Sequence, residues 1–237
     1  MGRAYEVRKA SIQKTGAQKA KLYSMYAKEI YSEAKKNPDI DSNPSLKRLV
    51  EKAKKEQVPS DIINRAINKV KSGIDETYEK YRYEGFGPGG STLLIDALTD
   101  NVNRTISDIR TAFAKTKSKL GESNSVSYMY EDLSIISFKG LTEDEVLEAL
   151  LNEEVNADIE VDGDMIILYG SPQDYFKLKN AILNYNKDMI FIIDELTTLP
   201  VEKITLEGED LETFEKLLEL LDNIDDVSEV YHNVDLN

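Results

Sequence analysis

The chain has 237 residues, no cysteine, one histidine (His232), and 30 Lys and Arg against 44 Asp and Glu, for a formal net charge of −14. Without cysteine there are no disulfides, thiolate nucleophiles, iron–sulfur clusters or Cys-based zinc sites, which suits a reducing compartment such as the cytoplasm; one imidazole is too few for a multi-histidine metal centre. A chain that is 41% hydrophobic and 31% charged has the composition of a folded globular protein. The apolar run Met189-Ile190-Phe191-Ile192-Ile193 is far shorter than the ~20 residues a membrane helix needs. The basic N-terminus has no apolar stretch behind it, so neither a membrane span nor a secretory signal is expected.

Taken as an average, the acidic balance argues against a polyanionic partner. Resolved along the chain it does not. Residues 1–72 hold 17 Lys and Arg and 8 Asp and Glu, a net of +9, and residues 73–237 hold 13 and 36, a net of −23. Within the latter, residues 73–130 are close to neutral (7 against 8) and residues 131–237 carry 6 basic and 28 acidic side chains. Asymmetry of this kind marks a basic polyanion-binding module joined to acidic domains.

In chain order, periodicity predicts a helix over 17–36, ended by Asn37-Pro38. Its apolar arc holds Leu22, Tyr23, Tyr26, Ala27, Ile30 and Ala34, with Lys21, Lys28 and Lys35 on the other side. A second helix starts at Asn43-Pro44, with Asn as N-cap, and buries Leu46, Leu49, Val50 and Ala53. A third follows Val58-Pro59-Ser60, buries Ile62 or Ile63 with Ala66, Ile67 and Val70, and ends at Gly73. Such short helices stand by packing on one another.

From Thr77 the period changes: strands at 79–84 and 92–98, a helix over 102–118, and a strand at 126–131. Residues 134–138, 143–152, 157–161, 164–169, 173–184 and 189–196 then read strand, helix, strand, strand, helix, strand, with a two-residue hairpin turn in Val161-Asp162-Gly163-Asp164. That order is ferredoxin-like. A strand at 201–206, a helix at 209–222 and a strand at 227–235 complete a similar sandwich with residues 79–130. The expected fold class is therefore α+β: a basic three-helix domain (1–74), a discontinuous α/β middle domain (77–131 plus 201–237), and an acidic ferredoxin-like α/β domain (132–200) inserted into it.

Gly85, Gly87 and Gly90 satisfy G-x-G-x-x-G, but Pro88 interrupts and Ser91-Thr92-Leu93-Leu94-Ile95 reads as a strand, not the helix that a dinucleotide fingerprint opens. Gly85, Gly87, Gly89 and Gly90 are read as a structural turn. The carboxylates Glu207, Glu209, Asp210 and Glu212 read as a solvated face at a helix N-terminus rather than an acid/base pair or Mg²⁺ site, and Tyr23 and Tyr26 as core rather than base-stacking residues. His232 is read as structural or surface. No cofactor, metal or catalytic residue is expected. Asp100 or Asn101 caps the helix that follows, and Arg104 and Arg110 lie off its apolar stripe, where they extend a basic surface.

Gly85-Phe86-Gly87-Pro88-Gly89-Gly90, then Ala97-Leu98-Thr99-Asp100-Asn101-Val102-Asn103-Arg104-Thr105, then Leu120-Gly121-Glu122 with Ser125-Val126 together resemble the YebC family, including its YeeN-like branch. Met1-Gly2-Arg3 and Gln57-Val58-Pro59-Ser60-Asp61-Ile62-Ile63 resemble that branch too, so the resemblance spans essentially the whole chain. Where the family has an N-terminal His-Ser-Lys-Trp-like element, this chain reads Met1-Gly2-Arg3-Ala4-Tyr5-Glu6-Val7-Arg8-Lys9 and keeps its basic character. The resemblance implies a three-domain bacterial or organellar α+β protein without known catalysis. Members are labelled probable DNA-binding transcriptional regulators; the family also includes the mitochondrial translational activator of cytochrome oxidase and ribosome-associated proteins that relieve stalling at proline-rich stretches. The expected function is thus a non-catalytic gene-expression regulator, not an enzyme, that binds nucleic acid, DNA or ribosomal RNA, through the helical domain. The alternative is a ribosome-associated translation factor. Arg3, Arg8, Lys9, Lys14, Lys19, Lys21 and Lys28 are the expected phosphate contacts, with Arg104 and Arg110 as auxiliaries.

Overall fold

The computed structural model describes residues 16–236, with side chains from Lys19 onward. It opens with α1 (Gly16–Lys36), α2 (Pro44–Lys55) and α3 (Ser60–Lys71). Asn43 caps α2 by accepting the Leu46 N–H at 3.1 Å, and its amide ties back to the carbonyls of Glu33 and Asn37. One cap residue thereby ends one helix and starts the next. Tyr26, Ile30 and Ala34 of α1 pack with Leu46, Leu49 and Val50 of α2 and Ile63, Ala66 and Ile67 of α3.

The next elements are β1 (Glu79–Phe86), β2 (Thr92–Thr99), α4 (Val102–Lys115) and β3 (Lys119–Leu120). Then come β4 (Tyr130–Lys139), α5 (Glu143–Asn152), β5 (Ala157–Asp162), β6 (Met165–Gly170), α6 (Tyr175–Tyr185) and β7 (Ile193–Pro200). The chain closes with α7 (Gly208–Asp222) and β8 (Val227–His232). By compactness, Met129–Val201 forms one unit and the rest of the described chain the other.

In the Met129–Val201 unit the sheet order is β5-β6-β4-β7, with every neighbouring pair antiparallel. This is the ferredoxin-like arrangement that the strand–helix–strand repeat implies. Alternate residues of β4 and β6 (Ile136, Phe138, Ile166, Leu168) meet Val146 and Leu150 of α5 and Leu178 and Ile182 of α6, while Ile135, Ile167, Tyr169 and Ile193 form a second apolar cluster.

The other sheet has the order β3-β1-β2-β8 and is likewise antiparallel throughout. Match β2, β3, β1 and β8 with β4, β5, β6 and β7, and α4 and α7 with α5 and α6, and the spatial order is the same. The chain order differs: β1, the counterpart of β6, comes first instead of between β3 and α7, so this is the ferredoxin-like arrangement with one strand moved to the front of the chain. Leu93 and Ile95 of β2, Ile109 and Phe113 of α4, and Phe214 and Leu217 of α7 make its core. The α+β fold class, a helical N-terminal part followed by two such sheets, is as the sequence implies.

The last strand of the Met129–Val201 unit runs Ile193–Pro200 and not 189–196, and three further local readings change. Residues 126–131 do not form one strand: the Glu84 carboxylate accepts the N–H groups of Asn124, Val126 and Ser127 at 2.6, 2.7 and 2.9 Å, so these donors are spent on a side chain and pairing starts at Tyr130. The edge is taken instead by Lys119–Leu120 on β1. Residues 201–206 join their sheet through one parallel bridge, Ile204 to Val234, and not as a strand. Helix α4 stops at Lys115 because Lys117 turns left-handed (φ 51°) and Ser118 N–H bonds the Phe113 carbonyl at 2.9 Å.

Candidate nucleic-acid interface

With the apolar arc of α1 inside the bundle, the stripe Lys21, Lys28 and Lys35 is on the opposite side, and carboxylates of the same chain meet it. Lys21 Nζ donates to the Asp222 carbonyl and is 3.4 Å from Asp222 Oδ1. Lys28 Nζ is 2.9 Å from Asp226 Oδ1. Lys35 pairs with Asp75 and donates to the Glu76 carbonyl at 3.1 Å. The Lys21 and Lys28 side chains are 13% and 18% exposed, so this part of the stripe faces the end of α7 and the turn into β8 instead of solvent. Burial pushes the Lys21 ammonium's pKa down, with Asp222 pulling the other way.

Asp226, 5% exposed, is the hub of this contact. Its Oδ2 accepts from Arg104 Nη2 at 2.6 Å and Nε at 3.2 Å, from Thr99 Oγ1 at 3.1 Å and from Thr105 Oγ1 at 2.9 Å. Burial alone would raise its pKa; donors from Arg104, Lys28 and Thr105 outweigh that and hold the carboxyl down at about 2. Asn101, rather than Asp100, caps α4, accepting the Arg104 N–H at 3.1 Å. Asp100 Oδ1 instead takes Arg104 Nη2 at 2.8 Å. The motif from Thr99 to Thr105 therefore builds a clamp around an acid more than 120 residues away in sequence. Asp226 carries no signal of its own in the sequence, being one acid among 28 in residues 131–237.

The other expected contacts divide into groups. Arg3, Arg8, Lys9 and Lys14 lie outside the described residues. Lys19 on α1 and Arg110 on α4 are exposed, as are Lys47 and Lys54, seven apart on one side of α2; none of the four has a carboxylate partner among the described residues. Lys36, Arg65 and Lys69 are paired with Glu33, Asp61 and Glu76. Lys47 and Lys54 are not among the contacts expected from the sequence, which also gives no hint that Lys21 and Lys28 are already matched to acids.

Gly87 to Gly90 join β1 to β2, whereas Gly85, read from the sequence as part of the turn, lies within β1 and pairs with Leu93 and Leu120. Gly87 N–H bonds the Ser91 carbonyl at 2.8 Å and Ser91 N–H the Pro88 carbonyl at 3.0 Å, while Gly89 and Gly90 take left-handed φ values of 59° and 80°. At Gly85 a Cβ would come within 2.4 Å of the Phe113 ring. The chain leaves the loop into a strand, so no helix N-terminus faces a pyrophosphate there. The His232 ring stands edge-on to Phe214 at 5.1 Å, and burial pushes its pKa down. Among the described residues no three or more His, Cys, Asp or Glu side chains gather as a metal site, and no described helix is long and apolar enough to cross a membrane.

Comparison with known proteins covers nearly the whole chain. Residues 3–73 match the family model described as "TACO1/YebC protein N-terminal domain", and residues 78–234 the one described as "TACO1/YebC second and third domain". A "probable transcriptional regulatory protein" of Pseudoalteromonas atlantica is 45% identical over 235 residues, 98% of this chain and 97% of its own length. One of Alcanivorax borkumensis is 45% identical over 238 residues, covering both chains fully. The crystal structure of a conserved hypothetical protein from Aquifex aeolicus superposes with a TM-score of 0.73 at 31% identity, over 94% of this chain and 92% of that one. The chain belongs to the TACO1/YebC family.

Proposed function

We propose that this protein is a non-catalytic, cytoplasmic regulator of gene expression that binds nucleic acid through its basic N-terminal helical domain. The observation that carries this reading is charge polarity: +9 over residues 1–72 against −23 over the remainder, with Lys19, Lys47 and Lys54 open to solvent. Cations so placed release counterions from a phosphate backbone, and the acidic remainder orients the approach. The names of the relatives, probable transcriptional regulatory proteins, support the regulatory part.

Arg3, Arg8, Lys9, Lys14 and Lys19 are the first phosphate contacts in this reading, joined by Lys47 and Lys54, with Arg110 as an auxiliary. Lys21, Lys28 and Arg104 join them by exchanging the Asp222, Asp226 and Asp100 carboxylates for phosphate oxygens. Crosslinking in cells followed by sequencing of the attached nucleic acid names the partner. Recovery of chromosomal DNA fits a transcriptional role and recovery of ribosomal RNA a translational one. Recovery of neither above background refutes nucleic-acid binding altogether.

A further inference from the structure

The middle sheet carries a basic island that its average charge hides. Residues 110–121 contain Arg110, Lys115, Lys117 and Lys119 and no acid, whereas the other residues of 73–237 hold 9 basic and 36 acidic side chains. All four cations are exposed and have no carboxylate partner among the described residues, unlike Arg82 and Arg104 of the same unit, which are paired with Asp96 and Asp226.

One exposed aromatic ring is opposed to this segment, and a second is exposed in the turn tied to the same sheet. Lys119 of β3 is the register partner of Phe86 on β1, so the two side chains leave the same face of the sheet as a directly opposed pair. Phe86 is 39% exposed, which is unusual for a phenylalanine in a strand. Tyr128, 75% exposed, follows Ser127, whose N–H is held at 2.9 Å by Glu84, the residue two before Phe86 and on that same face. A solvent-facing ring directly opposed to an unpaired ammonium group, with further free cations on the adjoining helix end, matches what an unpaired nucleic-acid strand presents: base faces to stack on and phosphates to neutralise. A duplex keeps its base faces hidden and has no use for the rings.

We propose that the end of α4, the edge strand β3 and Phe86 form a second nucleic-acid surface, selective for a single strand. The proposal rests on the nucleic-acid reading above and adds a site and a strand class to it.

The test is fluorescence anisotropy of the full chain with a labelled single-stranded oligonucleotide and with the duplex made from it. Three variants are compared with the parent: Lys117→Gly/Lys119→Gln, Phe86→Leu, and the bundle variant Lys47→Gln/Lys54→Gln. Lys117→Gly removes the charge at a left-handed position that glycine accepts readily, so thermal stability of that variant should hold or rise. The expected result is a loss of single-strand affinity of roughly 10-fold for Phe86→Leu, the size of one lost base stack, and of about the same size for Lys117→Gly/Lys119→Gln from two lost phosphate contacts, with duplex affinity within about 2-fold of the parent. Unchanged single-strand binding by both island variants, or equal losses on strand and duplex, overturns the second surface; if the bundle variant still weakens binding, the N-terminal reading survives. A parent that binds neither probe overturns both.

Discussion

A carboxylate that receives Lys28, Arg104 and two threonine hydroxyls binds them only while ionised. Asp226 is held down at about 2, below its ordinary value near 3.8, so its contribution is full above pH 4 and is lost as the pH falls through 4 towards 2. The size is about 2 kcal/mol at neutral pH, at about 1.36 kcal/mol for each tenfold change in proton affinity. Asp226→Asn should cost about 2–3 kcal/mol in urea unfolding at pH 7, because Lys28 and Arg104 lose their anion, and should flatten the acid limb of the stability–pH curve. A variant as stable as the parent at both pH 7 and pH 3 would contradict the hub. The partners of this residue were not readable beforehand. Lys21, Lys28 and Lys35 recur every seven residues whether they face phosphate, water or Asp222, Asp226 and Asp75, and nothing local to α1 distinguishes the three cases.

Most elements were legible because their boundary signals are local. Asn43-Pro44 starts α2, Asn101 caps α4, and Thr142 with Glu145 closes a capping box on α5. The strand expected at 126–131 was not, because what replaces it is the Glu84 side chain 40 residues upstream. Helix C-termini share a device that local propensity also hides. Gln57, Lys117 and Glu154 are left-handed at φ 61°, 51° and 50°, and the next residue's N–H reaches back into the helix: Val58 to Ala53, Ser118 to Phe113, Val155 to Leu150. Glycine normally fills this position, and an L side chain there is strained by about 1 kcal/mol. Glu154→Gly, outside every surface invoked above, should raise the urea-derived stability of the Met129–Val201 unit by about 0.5–1 kcal/mol. A loss of stability would mean that the Glu154 side chain has a role beyond this cap.

For the whole molecule, the two sheets share one spatial order reached by different chain orders, and charge divides differently from topology. The net −14 is the sum of a basic helical end and an acidic remainder, with the island at 110–121 breaking the pattern. Fold class was accessible because hydrophobic periodicity is a property of each segment. The interface was accessible in outline only, since whether a given lysine is free depends on acids brought to it by folding.

The central claim, that the basic helical end binds phosphate, is tested most directly by the salt dependence of duplex DNA binding by the full chain. If about five phosphates are neutralised, log affinity against log salt should fall with a slope of roughly −4.5. Lys47→Gln/Lys54→Gln should make the slope shallower by about 2. An affinity that does not change with salt, or the same slope in parent and variant, would contradict it.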